Sequence, residues 1–495
     1  MQPDLRPIIA AAVSILLSLC AASQARADGA GPAPASPAST NTMEDDAPEE
    51  KPEEIKPAYD VDLTNPIIKS GLKVRYTGRK VVIGAGECTI DGNTIALPQP
   101  TKVLVPPSGF LSVSNEPVKF IDDSSKPTDN VVLSHCRAAQ IDQTILRGDL
   151  VKDSVTLKTS AGADAAKLVP TIDFVVDANL GVVTRTARGA IKPGAKVFAS
   201  YQCWRRRVDT IALDLAPKPH FILIQGIPAR SAPEPPVIAP NLIPMANVIS
   251  DWGDGDILLG NVMPIENPIG PFDPKLAEHN RRAMAPVIKK LEAGEPVKLV
   301  YWGDSVCLGY DARTKDDAFS NAFVAELHKR FPNANITVNN LGVASSNSSL
   351  RLPKVATEVF GLKPDLLIVE YVNDFALPSH VITHDYEELL DEAKKNNTRV
   401  ILCTPHCPSP RMARAATWDA IADKPYLSIL HELVGKNEDV ALADVFNRWQ
   451  HLPREGLRAE LLLVNGLNHP NNKGHSIYVE ELMRCFVPAD QVASH

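Results

Sequence analysis

Residues 297–306 read VKLVYWGDSV, a largely apolar strand pattern that runs directly into a turn carrying a glycine, an acid and a serine. Similar apolar runs recur toward the C-terminus, and stretches with helical periodicity separate them. The predicted strands are 297–301, 336–340, 366–371, 399–404 and 440–445. The predicted helices are 275–293, 318–331, 386–395, 425–434 and 474–485. This alternation predicts a parallel sheet covered by helices on both faces, a three-layer α/β/α sandwich.

Ligand sites in such sheets lie outside the carboxyl ends of the strands, so the loops at those ends are where chemistry is expected. Four residues in these loops form a chemically coherent set: Ser305, Gly342, Asn373 and His469. Acyl transfer needs a nucleophile, a base that takes its proton, and donors aimed at the developing oxyanion. Ser305 and His469 can supply the first two. The amides of Ser305 and Gly342 and the side chain of Asn373 can supply the donors.

The same residues carry a resemblance to the SGNH hydrolases, also called GDSL-type esterases, over about residues 295–490. Gly303-Asp304-Ser305 looks like the family block that holds the nucleophile. Gly342 and Asn373 match the blocks that donate to the oxyanion, and His469-Pro470 matches the block of the general base. The resemblance implies a serine esterase that acts on short acyl esters and requires no metal or organic cofactor.

One position departs from the family pattern. The family has an aspartate three or four residues before the histidine, where this chain has Gly466 and Asn465. Three alternatives stay open: a Ser305–His469 dyad aided by Asn465, an acid supplied from elsewhere such as Asp444, or a domain that is weakened or only binds. An aspartate-to-asparagine change in a serine protease triad lowers turnover about 10⁴-fold, so the difference matters.

The chain before residue 275 divides by composition. Residues 1–27 have a weakly positive start, an apolar run and a small-x-small site, which predict a cleaved secretory signal. Residues 28–60 are rich in Ala, Pro and Glu and predict a disordered acidic tether. Short strand patterns over 61–225 predict an all-β, sandwich-like domain. Ten prolines between 228 and 274 predict a linker over 226–274, ahead of a hydrolase domain at 275–490.

The net charge of −8 does not describe the folded part of the chain. Residues 28–60 hold nine acids and two lysines, and the rest is close to neutral. Nothing there forms the concentrated basic surface that nucleic-acid binding needs. No later run predicts a transmembrane span. Seven cysteines remain after the predicted signal, an odd number whose pairing the sequence leaves open.

The predicted function is an exported esterase, periplasmic or extracellular, that removes O-acetyl groups from a polysaccharide or cleaves another small ester. A lipid-anchored form is a second possibility, because Leu17-Ser18-Leu19-Cys20 resembles a lipoprotein box. A lipase or lysophospholipase is an alternative within enzymes. A catalytically weakened glycan-binding or envelope protein is the alternative from another class. The oligomeric state stays open.

Overall fold

The computed structural model describes residues 56–125, 128–136, 149–266 and 273–487. The predicted signal and most of the acidic tether lie outside the described residues. Residues 58–60, predicted as the end of that tether, belong to a strand that pairs with residues 74–77. None of the helices in the described ranges combines the length and the apolar character that crossing a bilayer requires.

The first part of the described chain is antiparallel and β-rich, as predicted. Its strands are β1 (Ala58–Val61), β2 (Ile68–Gly71), β3 (Val74–Thr77), β4 (Lys80–Ile83), β5 (Gly86–Ile90), β6 (Asn93–Leu97), β7 (Thr101–Leu104), β8 (Phe110–Lys119), β9 (Asn130–Val132), β10 (Thr156–Lys158), β11 (Phe174–Asp177), β12 (Val182–Arg185), β13 (Lys196–Trp204), β14 (Arg207–Asp214), β15 (His220–Ile224), β16 (Leu242–Ser250) and β17 (Val262–Pro264). They pair into small antiparallel sheets, ordered β1-β3-β4-β7, β2-β5-β6, β10-β13-β8, β11-β12-β9 and β15-β14-β16-β17.

The β-rich region has two separate apolar cores. The first joins residues 72–105 to residues 211–262. The second lies within residues 118–203. The second core therefore belongs to an insertion between the two halves of the first.

The structure corrects the predicted linker at 226–274. Strand β16 pairs with β14 along its whole length, and β17 pairs with β16, so a boundary at residue 225 cuts through a sheet. The prediction was wrong because it took every proline in this stretch as a sign of a linker, whereas Pro244 and Pro264 lie in strands. Pro244 lies next to a register shift, and Pro264 lies in the edge strand β17, which are the positions in a sheet that tolerate proline.

The C-terminal part has the predicted parallel sheet, ordered β19-β18-β20-β21-β22. Its strands are β18 (Pro296–Gly303), β19 (Asn335–Asn340), β20 (Leu366–Glu370), β21 (Arg399–Cys403) and β22 (Val440–Ala443). The chain runs outward from β18 to β19 and then back through β20 to β22, so right-handed connections place helices on both faces. The predicted three-layer fold is confirmed.

Helices surround this sheet. They are α1 (Pro274–Ala293), α2 (Phe319–Arg330), α3 (Ser348–Arg351), α4 (Val355–Glu358), α5 (Ser379–Lys395), α6 (Pro410–Ala413), α7 (Pro425–Lys436), α8 (Val445–Gln450) and α9 (Asn472–Arg484). Short 3₁₀ turns lie at Leu352–Lys354, Phe360–Leu362, Val372–Ala376, Asp419–Ile421, Leu452–Glu455 and Ala459–Leu462. Helix α2 packs against α9, and α5 packs against α7.

The strand register decides which loops meet. Tyr301 on β18 lies opposite Asn340 on β19, and Gly303 lies opposite Glu370 on β20. The turns that leave these three strands therefore begin side by side at one edge of the sheet.

The β-rich region and the α/β part share buried contacts. Val208 and Ile249, from β14 and β16, belong to the apolar core of the α/β part. The buried Asn247 donates to the carbonyl oxygens of Glu455 (3.2 Å) and Gly456 (3.0 Å) and accepts a hydrogen bond from Thr210 (2.7 Å). A sheet of one part is thus bonded directly to a turn of the other.

Replacing Asn247 with Ala should destabilise the protein, because it leaves a hydroxyl and two carbonyls without this buried partner. We expect the free energy of unfolding in urea to fall by about 1–3 kcal/mol. The side chain of the exposed Asn93 donates to a turn carbonyl, and Asn93→Ala is the matched control, with an expected change within about 0.5 kcal/mol. Equal small effects of both substitutions would show that the contact contributes little.

Candidate active site

Ser305 lies on the turn that follows β18. A Cβ added to Gly303 would lie 2.3 Å from the carbonyl oxygen of Glu370 and 2.7 Å from the Cβ of Cys307. Only glycine lets strand and turn pack so closely. The amide of Tyr310 donates to the carbonyl of Ser305 (3.1 Å), which folds the turn back on itself.

The buried Asp304 connects the nucleophile turn to the turn after β20. Its carboxylate accepts hydrogen bonds from the amides of Val306 (3.0 Å) and Asn373 (3.1 Å). Burial raises the pKa of Asp304 to about 6, while these hydrogen bonds act in the opposite direction. By accepting these two hydrogen bonds, the carboxylate fixes Asn373 relative to Ser305.

The structure brings Ser305 and His469 together. The hydroxyl Oγ of Ser305 lies 2.9 Å from Nε2 of His469, within hydrogen-bond distance. The loop that carries the histidine is closed by a hydrogen bond from the amide of Val464 to the carbonyl of His469 (2.8 Å). This geometry allows the imidazole to take the proton of the serine.

The acid beside His469 is Asp311, a residue outside the predicted site. Its Oδ2 lies 2.8 Å from Nδ1 of His469, on the opposite side of the ring from Ser305. Asp311 has a φ of 64°, in the left-handed region that aspartate adopts more readily than most residues. Its side chain is 37% exposed, against 16% for His469, so this acid lies at the rim of the site.

The two residues predicted to help the base have other partners. The side-chain oxygen of Asn465 accepts hydrogen bonds from the amides of Leu467, Asn468 and His469, each at 3.0 Å. Asn465 therefore shapes the backbone of the histidine loop and does not orient the imidazole ring. The carboxylate of Asp444 lies 3.2 Å from His431 and is no partner of His469.

Gly342 lies beside the nucleophile turn, as a donor to the oxyanion should. A Cβ there would lie 3.0 Å from the carbonyl of Asp304 and 2.9 Å from Cγ of Leu308, so a larger residue would push the turn away. Its amide already donates to the side chain of Asn340 (2.9 Å). To donate to a substrate, Gly342 has to share or exchange this hydrogen bond.

Asn373 is held from two directions. Its side-chain nitrogen donates to the carbonyl of Ser346 (2.8 Å), and its side-chain oxygen accepts from Asn468 (3.3 Å). An amide nitrogen carries two hydrogens, so one bond to Ser346 leaves a second hydrogen for a ligand. The contact with Asn468 links this donor to the histidine loop.

A second histidine supports the loop that carries the acid. Nδ1 of the buried His475 accepts a hydrogen bond from the amide of Phe319 (3.4 Å), so its proton is on Nε2, which donates to the carbonyl of Tyr310 (3.4 Å). Burial lowers the pKa of His475 to about 4 and keeps the ring neutral. Tyr310 directly precedes Asp311, so His475 helps to place the acid.

The model of the GDSL-like lipase/acylhydrolase family matches the chain over residues 301–477. This part of the chain is a GDSL-like acylhydrolase domain. The matched segment contains Ser305, Asp311 and His469, and it confirms the resemblance on which the site was predicted. No curated protein matches the chain.

Several solved structures are similar to part of the chain at low identity. A two-domain esterase active on acetylated mannans is 16% identical, with 43% of this chain and 54% of that chain covered and a TM-score of 0.35. An α/β hydrolase from the metagenome of Lake Arreo, Spain, is 20% identical, with coverages of 39% and 96% and a TM-score of 0.33. A catalytic mutant of an acetylxylan esterase from Geobacillus stearothermophilus is 18% identical, with coverages of 38% and 94% and a TM-score of 0.33. The chain thus spans about half the length of the first of these proteins.

Replacing Asp311 with Asn should lower kcat/KM for a small ester by about 10²- to 10⁴-fold. Asparagine cannot stabilise the imidazolium by charge, and its amide favours the wrong tautomer of His469. The exposed Asp316 on the same loop is the matched control, and Asp316→Asn should leave the rate nearly unchanged. Equal rates for the Asp311 variant and the wild type would remove Asp311 from the triad.

Replacing His475 with Gln should destabilise the protein by an amount that depends on pH. The pKa of His475 is about 4 in the folded protein and 6.5 in the unfolded chain. As the pH falls below 6.5, the unfolded chain takes up the proton first, and the wild type loses stability. The glutamine variant has no such proton uptake. The difference in unfolding free energy between wild type and variant should therefore shrink from pH 6.5 to 4 in urea titrations. A constant difference over that range would contradict a neutral His475.

Proposed function

We propose that this protein is a serine esterase that removes short acyl groups, and that its substrates are O-acetyl groups of a polysaccharide. The observation that carries the proposal is the hydrogen-bonded chain from Ser305 through His469 to Asp311, with distances of 2.9 and 2.8 Å. Nucleophile, base and orienting acid are in contact in the order that acyl transfer requires.

In the proposed acylation step, Nε2 of His469 takes the proton of Ser305 as Oγ attacks the ester carbonyl. Asp311 holds Nδ1 and stabilises the imidazolium that forms. The tetrahedral anion collapses to an acyl-serine, and His469 returns the proton to the departing alcohol. In the second step His469 takes a proton from water, which attacks the acyl-serine. When the bond to Oγ breaks, the carboxylic acid leaves and His469 returns the proton to Ser305.

The oxyanion would be held by the amides of Ser305 and Gly342 and the side chain of Asn373. Such donors are effective because they are fixed before the charge develops, and the loss of one typically costs about 10²- to 10³-fold in kcat. The buried Asp304 supports this role, since it binds the backbone of Asn373 and caps the turn at Val306. One buried carboxylate thus ties together the turns that carry Ser305 and Asn373, while the amide of Gly342 has to exchange its hydrogen bond with Asn340.

Two kinds of feature support acylated polysaccharide as the substrate. The N-terminal sequence favours export, which places the enzyme among envelope or extracellular glycans. Beside the base, the half-exposed ring of Tyr310 lies edge-to-face with His469 at 5.6 Å between ring centres, so an aromatic ring borders the site. Aromatic faces suit the apolar faces of sugar rings.

The partly exposed Leu308 and Val343 also lie on the turns around Ser305. Such apolar side chains could also hold a longer acyl chain, which keeps the lipase-type alternative testable. The weakened-protein alternative rested on the missing acid before His469. Asp311 supplies an acid in that role, so this alternative loses its motivation.

The test is a comparison of acyl-chain length and acyl carrier. Wild type should hydrolyse nitrophenyl acetate faster than the butyrate or octanoate ester and should release acetate from acetylated xylan or mannan. Ser305→Ala, which lacks the nucleophile, should lower both rates by at least about 10³-fold. Faster turnover of octanoate would favour a lipase. Equal rates for wild type and Ser305→Ala would favour a binding protein.

A further inference from the structure

A short segment of the β-rich region, residues 229–234, contacts the loop that carries the base of the triad. The buried hydroxyl of Ser231 donates to the carbonyl of Val464 (2.6 Å). The amide of Val464 in turn donates to the carbonyl of His469 (2.8 Å). One hydroxyl outside the acylhydrolase domain therefore holds the strand-like pair that closes the histidine loop.

The same segment contacts the loop that carries the acid. The carboxylate of Glu234 lies 2.9 Å from the guanidinium of Arg313, two residues after Asp311. The backbone amide of Arg313 donates to the side chain of Asn472 (2.8 Å), the first residue of α9. The acid loop is thus held between the β-rich region and the helix that follows the histidine.

A third contact joins the segment to the cap of that helix. The side-chain nitrogen of Asn471 donates to the carbonyl of Ala232 (3.3 Å), and its side-chain oxygen accepts from the amide of Gly474 (3.0 Å). Asn471 is buried and lies two residues after His469. The contacts of Ser231, Ala232 and Glu234 therefore reach the loop of the base, the start of α9 and the loop of the acid.

The segment is itself fixed to the β-rich region. Ala229 exchanges two backbone hydrogen bonds with Arg206 (2.8 and 2.9 Å). The guanidinium of Arg206 donates to the carbonyl of Ser231 (3.2 Å) and lies 4.4 Å above the ring of Trp252. The indole nitrogen of Trp252 donates to the carbonyl of Arg230 (2.8 Å). These bonds make the segment a rigid support.

We propose that residues 229–234 are a positioning element of the active site, by which the β-rich region sets the distance between Asp311 and His469. The acid lies on an irregular, partly exposed loop, and a displacement of about 1 Å in a reacting group can cost about 10²-fold in rate. This inference rests on the proposed esterase activity. It gives the β-rich region a direct part in catalysis, acting through the triad.

The test removes, in separate variants, the negative and the positive partner of the ion pair between Glu234 and Arg313. Glu234→Ala and Arg313→Ala should each lower kcat for nitrophenyl acetate by about three- to tenfold with little change in KM, because each releases the acid loop. A purely electrostatic effect on His469 would shift the acid limb of the pH–rate profile in opposite directions in the two variants. Glu278→Ala, which breaks the exposed pair with Arg282 on α1, is the control and should leave kcat unchanged.

A second comparison separates positioning from general destabilisation. In an Asp311→Asn background, Glu234→Ala should have almost no further effect on kcat, since the group that it positions is already disabled. The downfield proton resonance of the His469–Asp311 hydrogen bond should weaken in Glu234→Ala at a temperature where the variant is folded. Unchanged kcat in both single variants, or full additivity with Asp311→Asn, would overturn the proposal. A wild type no faster than Ser305→Ala would overturn the proposed function, and this inference with it.

Discussion

The hydrogen bond between Ser305 and His469 joins two residues that are 164 positions apart in the chain. It can form only if β18 delivers the nucleophile to the same sheet edge at which the last loop delivers the base. Parallel pairing of β18 with its neighbours meets that condition, because the carboxyl ends of parallel strands meet at one edge. The close backbone contacts at Gly303 and Gly342 then set how near the nucleophile turn lies to the neighbouring turns. The placement of the site therefore depends on backbone packing before any side-chain chemistry.

The same constraint explains why so much could be predicted from the sequence. Strands buried on both faces read as continuous apolar runs, and the predicted strand at 399–404 differs from β21 by one residue. Since the turns follow directly after such runs, Ser305 could be placed at a strand end without coordinates. His469 could be placed because its block directly precedes the amphipathic pattern of α9.

Asp311 and the 226–274 stretch show where prediction from sequence stops. The acid lies in the left-handed region on an irregular loop. The bonds that hold this loop, from Tyr310 to His475 and from Arg313 to Asn472, join residues more than 150 positions apart and are encoded by no local pattern. A glycine followed two residues later by an acid, just after the nucleophile, is too common to carry the assignment. In the 226–274 stretch, proline content outweighed the apolar alternation of β16, although an edge strand or a bulge accommodates proline.

The segment that matches the acylhydrolase family, residues 301–477, is shorter than the part of the chain that holds the site together. The matched segment starts at residue 301, within β18. Helix α1 precedes it in the chain and contacts the edge strand β22. There the side chain of Asn280 both donates to and accepts from the backbone of Leu442, at 2.8 and 2.9 Å, as a neighbouring strand would. This pairing occupies polar groups that an open sheet edge would expose. Residues upstream of the matched segment thus complete the sheet that holds Ser305, and the β-rich region contacts the loops that hold Asp311 and His469. A fragment limited to the matched segment would lack both kinds of support.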